Sequence, residues 1–290
     1  MNKFLIRTLS GAVYVLIVVG AIYATELLRN FCSGVVAEQL GVLLFGAVFL
    51  TVGIIGTHEV NTNLAKKGVA NARGLAYIIA ILTYLILFVY DEGFYFFGIT
   101  SGLCEAVLPA IWLCAFLAQL WRHDEAPFAT VGYTLLPALW VMVPLGMMSD
   151  LHSTSAGILM MVFILIWVND SFAYMTGMLL GRHKMWERHS PKKTWEGTVG
   201  GALFCIATAV IVGPIVGGHE LLNRLDWAVI GLLCSVIGTL GDLVESMFKR
   251  SCGVKDSGNI MPGHGGVLDR FDSILMAVPF VCAYLFLRIW

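Results

Sequence analysis

Long apolar runs, broken by short polar segments, constrain this chain more than any other feature. Nine stretches, roughly 9–25, 39–57, 74–90, 101–120, 128–148, 155–180, 197–217, 227–248 and 271–289, approach the length a helix needs to cross a bilayer. In hydrocarbon every backbone N–H and C=O must be paired inside the protein, and runs of this length achieve that as helices. The expected architecture is all-α: a polytopic integral membrane protein of about nine transmembrane helices. Composition agrees, at 58% hydrophobic and 13% charged, where soluble chains carry about 25% charged residues. The basic start and first apolar run read as the first span rather than as a cleaved leader. Seven cysteines, most of them within apolar runs, give neither a disulfide framework nor zinc-ligand spacing. A net charge of −1 without a basic domain points to no nucleic-acid partner.

Lys and Arg concentrate in the cytoplasmic loops of membrane proteins. With a cytoplasmic N-terminus, 15 of the 18 basic residues fall on that side, leaving Arg29, Arg224 and Arg288 on the other. This asymmetry predicts an odd number of spans and places every polar cluster on the cytoplasmic face, where nucleotides are. A short chain with no transit peptide suggests a multi-pass protein of the bacterial inner (cytoplasmic) membrane.

Chemistry-bearing residues are unevenly distributed. Residues 1–150 have short loops and few ionisable groups within spans, and read as scaffold, with dimer or lipid contacts. Their segment 58–73, HEVNTNLAKKGVANAR, reads as a basic loop that anchors topology or touches anionic headgroups. Residues 151–290 read as the catalytic region, because they hold three polar clusters. Asn169, Asp170 and Ser171 lie well inside an apolar run, a costly place in lipid unless they face a bundle interior or a watery cavity. Lys192 and Lys193 precede a span whose helix N-terminus offers backbone N–H groups to anions.

The third cluster is the densest: residues 246–272, SMFKRSCGVKDSGNIMPGHGGVLDRFD. Asp242, Glu245, Ser246 and Lys249 fall at i, i+3, i+4 and i+7 and share one helix face. Asp269 and Asp272 are three apart at the start of the last run. Two carboxylate-bearing helix ends joined by a short basic loop can hold a divalent cation with positions left for phosphate oxygens, the usual mode for Mg²⁺. Glu245 reads equally well as an ion-pair partner of Lys249. His264, flanked by Gly263, Gly265 and Gly266, sits where backbone can approach phosphate; binding phosphate and bracing the loop are both open to it.

Ser246, Lys249, Arg250, Lys255, Asp256, His264, Gly265, Gly266, Asp269, Arg270 and Asp272 together resemble the C-terminal signature of the phosphatidate cytidylyltransferases (CDP-diacylglycerol synthases). Met261 stands where that pattern usually has Leu, Ile or Phe. Ser190 to Gly197 resembles the S-P-K-K-T-x-E-G segment of the same family, and Asn169 to Tyr174 its N-D-x-x-A-Y. The resemblance covers roughly residues 165–273. It implies that CTP and phosphatidate give CDP-diacylglycerol and pyrophosphate. It implies Mg²⁺ on Asp242 and Asp269, with Asp272 completing or orienting that site and Lys249 and Arg250 in the catalytic group. Lys192, Lys193, Lys255 and Arg270 would hold phosphates. Asn169, Asp170, Thr194, Glu196, Ser246, Asp256 and His264 would complete the substrate-binding set. A second, monovalent cation such as K⁺ and a homodimer are implied as well.

The residues suit such chemistry. The lipid phosphate is already an anionic nucleophile, and no Ser-His-Asp or Cys-His arrangement stands out. The obstacle is one polyanion attacking another, which positioning and charge neutralisation overcome. A CTP-dependent lipid-alcohol kinase is the rival chemistry, with attack at the γ-phosphorus. A transporter would put Asp170 and Asp242 on an ion path, yet the charges gather at one face and leave no trail to the other.

Overall fold

The computed structural model describes residues 3–96, 101–217, 221–261, 263 and 265–289. In chain order the helices are α1 (Lys3–Ile22), α2 (Ala24–Leu28), α3 (Gly34–Lys66), α4 (Arg73–Phe96), α5 (Ser101–Gln119), α6 (Pro127–Pro137), α7 (Val143–Thr154), α8 (Ala156–Leu180), α9 (Trp195–Val216), α10 (Arg224–Ser251) and α11 (Leu268–Ile289). A small antiparallel hairpin, β1 (Lys184–Trp186) and β2 (Ser190–Thr194), joins α8 to α9. Among the described residues seven helices are long and apolar enough to cross a membrane, with α6 and α7 counted as one. Arg7–Ile22 of α1 and Ala106–Gln119 of α5 are apolar as well. The protein is an all-α, multi-pass membrane protein.

The α6–α7 run is irregular for a local reason. A π-helical turn, Ala138–Met142, links the two helices, and the Val143 N–H reaches back to the Ala138 carbonyl. Pro144 has no N–H, and its ring would crowd the carbonyl one turn earlier. Widening the turn relieves that crowding inside an otherwise continuous helix.

The chain forms two compact units. The first comprises Met1–Ser153 and Cys252–Asp269. Its core includes Phe45, Phe49, Tyr84, Met142, Leu145 and Met148, all fully buried. α3 and α4 approach closely at Gly46, where a Cβ would stand 2.6 Å from the Phe88 ring, and the Tyr84 hydroxyl donates to the Gly46 carbonyl at 3.0 Å. The segment expected as a loop from residue 58 is helical as far as Lys66. Helix continues there because the polar side chains of its last turns are buried and bonded rather than solvated: Asn63 Nδ2 donates to the Ser257 carbonyl at 2.9 Å, and Asn71 Nδ2 to Asn61 Oδ1 at 2.7 Å.

The second unit comprises Thr154–Ser251 and Arg270–Trp290. Small residues let its helices meet backbone to backbone. Gly197 and Gly201 of α9 face Ala173 and Gly177 of α8, and a Cβ at Gly201 would lie 2.8 Å from the Asn169 carbonyl oxygen. At Gly241 of α10 a Cβ would lie 2.7 Å from the Asp272 carbonyl oxygen of α11. The other end of this helix pair is tied by Asp226, which is buried. Its Oδ1 accepts from the Tyr284 hydroxyl at 2.8 Å and Arg288 Nε at 2.9 Å, and its Oδ2 from the Asn223 N–H at 2.9 Å.

Candidate active site

Helical periodicity turns Asp242, Glu245, Ser246 and Lys249 to one side of α10, and the glycine contact brings in Asp272 from α11. One oxygen from each of Asp242, Glu245 and Asp272 lies within 4.8 Å of the other two. Glu245 is fully buried, and the other two are half-buried. Three hard, anionic oxygen donors so close together suit a small divalent cation such as Mg²⁺. Ser246 Oγ donates to Asp242 Oδ1 at 3.3 Å, and Lys249 pairs with Glu245 at the expected spacing of four.

The hairpin supplies a second cation. Side chains alternate sides along a strand, so Lys192 stays exposed while Lys193 turns inward. Lys193 Nζ lies 2.7 Å from Asp242 Oδ2 and donates to the Thr239 carbonyl at 3.2 Å. Asn169 of α8 donates through Nδ2 to Thr239 Oγ1 at 3.2 Å, and its own Oδ1 is buried with no hydrogen-bond partner among the described residues. Asp170 lies within electrostatic reach of Asp242, Lys193 and Arg270, and Asp272 within that of Asp242, Asp170 and Lys249. The second unit thus gathers four carboxylates and three cations around the facing ends of α8, α10 and α11.

Thr194 and Glu196 hold this part together. Thr194 Oγ1 accepts from the Gly197 N–H at 3.2 Å and caps α9. The Glu196 carboxylate accepts from the backbone N–H groups of Arg182 at 3.1 Å and His183 at 3.2 Å, and pairs with His183 Nδ1 at 2.6 Å. Both residues anchor the hairpin that carries Lys193. Arg250 and Arg270 are exposed.

The signature loop belongs to the first unit and is organised around two carboxylates. Asp269 Oδ2 accepts from the Ser257 N–H at 3.0 Å, the Ser257 hydroxyl at 2.8 Å and the Gly266 N–H at 2.7 Å. The Met261 N–H donates to the Gly265 carbonyl at 3.0 Å, closing a turn in which Gly263 and Gly265 have φ of +78° and +85°. Glycine is the residue that adopts such angles without strain. Lys255 and Asp256 are exposed. His264 lies outside the described residues. The second carboxylate is Glu59 of α3, which lies in the segment the sequence reads as a basic loop. It accepts from the Val267 N–H at 2.9 Å and the Leu268 N–H at 2.8 Å, and its Oε2 lies 3.0 Å from the Ser257 hydroxyl oxygen, whose single hydrogen the two carboxylates share. Its only signals in the sequence are that it is a carboxylate at the end of an apolar run and lies four residues before Asn63.

The profile of the cytidylyltransferase family matches residues 5–288, nearly the whole chain. The chain belongs to the cytidylyltransferase family. Among curated proteins, a phosphatidate cytidylyltransferase of Staphylococcus aureus (strain COL) is 40% identical over 154 residues. Proteins of the same description from Staphylococcus epidermidis and Staphylococcus saprophyticus are each 39% identical over 152 residues. These matches cover 52% of this family member and 58% of each relative's length.

Proposed function

We propose that this cytidylyltransferase-family protein is a phosphatidate cytidylyltransferase, converting CTP and phosphatidate to CDP-diacylglycerol and pyrophosphate. One observation carries the reading: Asp242, Glu245 and Asp272 converge inside an apolar helical bundle with Lys193 and Lys249 beside them. A phosphate oxygen of the lipid attacks the α-phosphorus of CTP. The bond from that phosphorus to the oxygen bridging to the β-phosphate breaks, and pyrophosphate leaves. Lys193, Lys249 and Arg270 supply positive charge where the two polyanions meet, and holding those charges in place before substrate arrives avoids reorganisation during the reaction. Asn169 and Asp170 orient the nucleotide, and Lys192, Arg250 and Lys255 add to the attraction for phosphate. Mg²⁺, when bound, supplies polarisation of phosphate oxygens. The resemblance assigns it to Asp242 and Asp269, and the nearness of Glu245 and Asp272 to Asp242 supports counting them among its ligands.

The same proposal includes a second, monovalent cation such as K⁺, a homodimer, and an active site on the cytoplasmic face of the inner membrane. The last rests on the distribution of Lys and Arg.

The test is pyrophosphate release by detergent-purified protein given CTP, Mg²⁺ and phosphatidate, beside an Asp269→Asn variant and a dialkyl alcohol control. The expected result is release that requires phosphatidate and falls by about 10²-fold or more in the variant. CDP formed only with the alcohol would replace this reading with a lipid kinase. Full activity in Asp269→Asn would remove that residue from the metal site.

A further inference from the structure

α11 begins at Leu268, so the N–H groups of Val267 and Leu268 belong to a helix start and have no acceptor within the helix. Such groups are usually satisfied by a side chain just before the helix. Here the acceptor comes from about 208 residues away in sequence: the Glu59 carboxylate takes both, one on each oxygen. A carboxylate is a strong acceptor at this end of a helix, because charge and macrodipole reinforce the bonds. The same carboxylate accepts from the Ser257 hydroxyl, whose oxygen also lies 2.8 Å from Asp269 Oδ2. Asn63, one turn beyond Glu59 on α3, holds the Ser257 carbonyl. Space is as tight as the bonding, since a Cβ on Gly266 would stand 2.5 Å from either Glu59 oxygen. Glu59 is 3% exposed.

We infer that Glu59 is a positioning residue for the signature loop. Through Ser257 and the start of α11 it fixes the place and rotation of the Asp269 carboxylate. Its contacts are to Ser257, Val267 and Leu268, and its effect is transmitted by the two ends of the loop it clamps. Half of the C-terminal signature is thereby built on a helix of the N-terminal scaffold. This inference rests on the proposed function for its kinetic consequence only; the clamp itself can be read independently.

The experiment uses the full chain in detergent with Glu59→Gln and Glu59→Asp. Glutamine keeps the shape but places an NH₂ where a backbone N–H donates, so one bond is replaced by a donor facing a donor. Two readouts are taken: kinetics of pyrophosphate release, and amide hydrogen exchange over residues 255–270. In Glu59→Gln, kcat falls about 10- to 100-fold, as expected for a displacement of around an ångström, while KM for CTP stays within about threefold. Exchange at Val267 and Leu268 accelerates about tenfold or more, with α3 itself unchanged. Glu59→Asp, which keeps the charge on a shorter arm, recovers part of kcat. Unchanged kcat in Glu59→Gln overturns the inference. So does a loss that tracks the folded fraction, with exchange rising along all of α3. If the wild-type protein releases no pyrophosphate, the proposed reaction fails. The exchange arm still decides the clamp: local acceleration upholds it, and unaltered exchange refutes it.

Discussion

The closeness of Asp242 and Asp272 depends on a missing side chain. Gly241 of α10 faces the backbone of α11, and a Cβ there would stand 2.7 Å from the Asp272 carbonyl oxygen and 2.9 Å from Met276 Cβ. Ordinary contact begins at 3.4 Å, so in Gly241→Ala the two helices must part locally by about 0.7 Å. The obstacle is helix backbone, which cannot rotate away as a side chain can. Overpacking of this kind costs about 1–3 kcal/mol of stability. Alanine is by itself the better helix former, so a loss cannot be charged to propensity. The larger effect is on catalysis. The added methyl pushes on the residue that carries one carboxylate, from the residue next to another. A misplacement of about 1 Å costs about 10²-fold in rate, and 0.7 Å therefore predicts a kcat lower by somewhat more than tenfold. Gly132→Ala is the control, since a Cβ there meets nothing within 4 Å. Pyrophosphate release and thermal unfolding in detergent, measured on both variants, check the prediction. Wild-type kcat in folded Gly241→Ala would show that the spacing of these two carboxylates does not govern the reaction.

Two further perturbations separate chemistry from support. Lys193→Gln removes the ammonium that joins Asp242 to the Thr239 carbonyl, and kcat/KM for CTP is expected to fall about 10²-fold; steady-state kinetics near wild type would dismiss Lys193 from the site. Asp226→Asn weakens the bonds to Tyr284 and Arg288 at the other end of the α10–α11 pair. It should lower stability by about 1.5–3 kcal/mol while leaving KM for CTP alone, and unchanged unfolding in detergent would contradict that role.

The spans were legible because a bilayer imposes one length and one composition on whatever crosses it. Each of the nine apolar runs is largely helical in the structure, and one is interrupted by the turn before Pro144. Within the site, local order was equally readable. The spacing that put Asp242, Glu245, Ser246 and Lys249 on one face appears as the Ser246–Asp242 and Lys249–Glu245 contacts. What the sequence concealed was long-range. Glu59 is decisive for the loop only because Val267 and Leu268 come to it from the far end of the chain. Nothing in HEVNTNLAKK distinguishes that partnership from a solvated helix end. The hairpin was hidden for another reason: strands of three and five residues leave too little alternation to detect.

The fate of the buried charges shows why both kinds of information are needed. An ionised carboxylate within a membrane span is costly unless a counter-charge or a cation accompanies it. α10 carries three: Asp226, matched by Arg288 at the far end of the helix pair, and Asp242 and Glu245. Glu245 is compensated from its own helix by Lys249, a solution visible in the spacing. Asp242 is compensated by Lys193, which α10 cannot supply; it comes from a strand before α9. That strand holds its place because Thr194 caps α9 and Glu196 grips the backbone at Arg182 and His183. Thr194 and Glu196 therefore support the strand that carries Lys193. A motif that reads in sequence as one row of polar residues divides in space into a charge and the brackets that aim it.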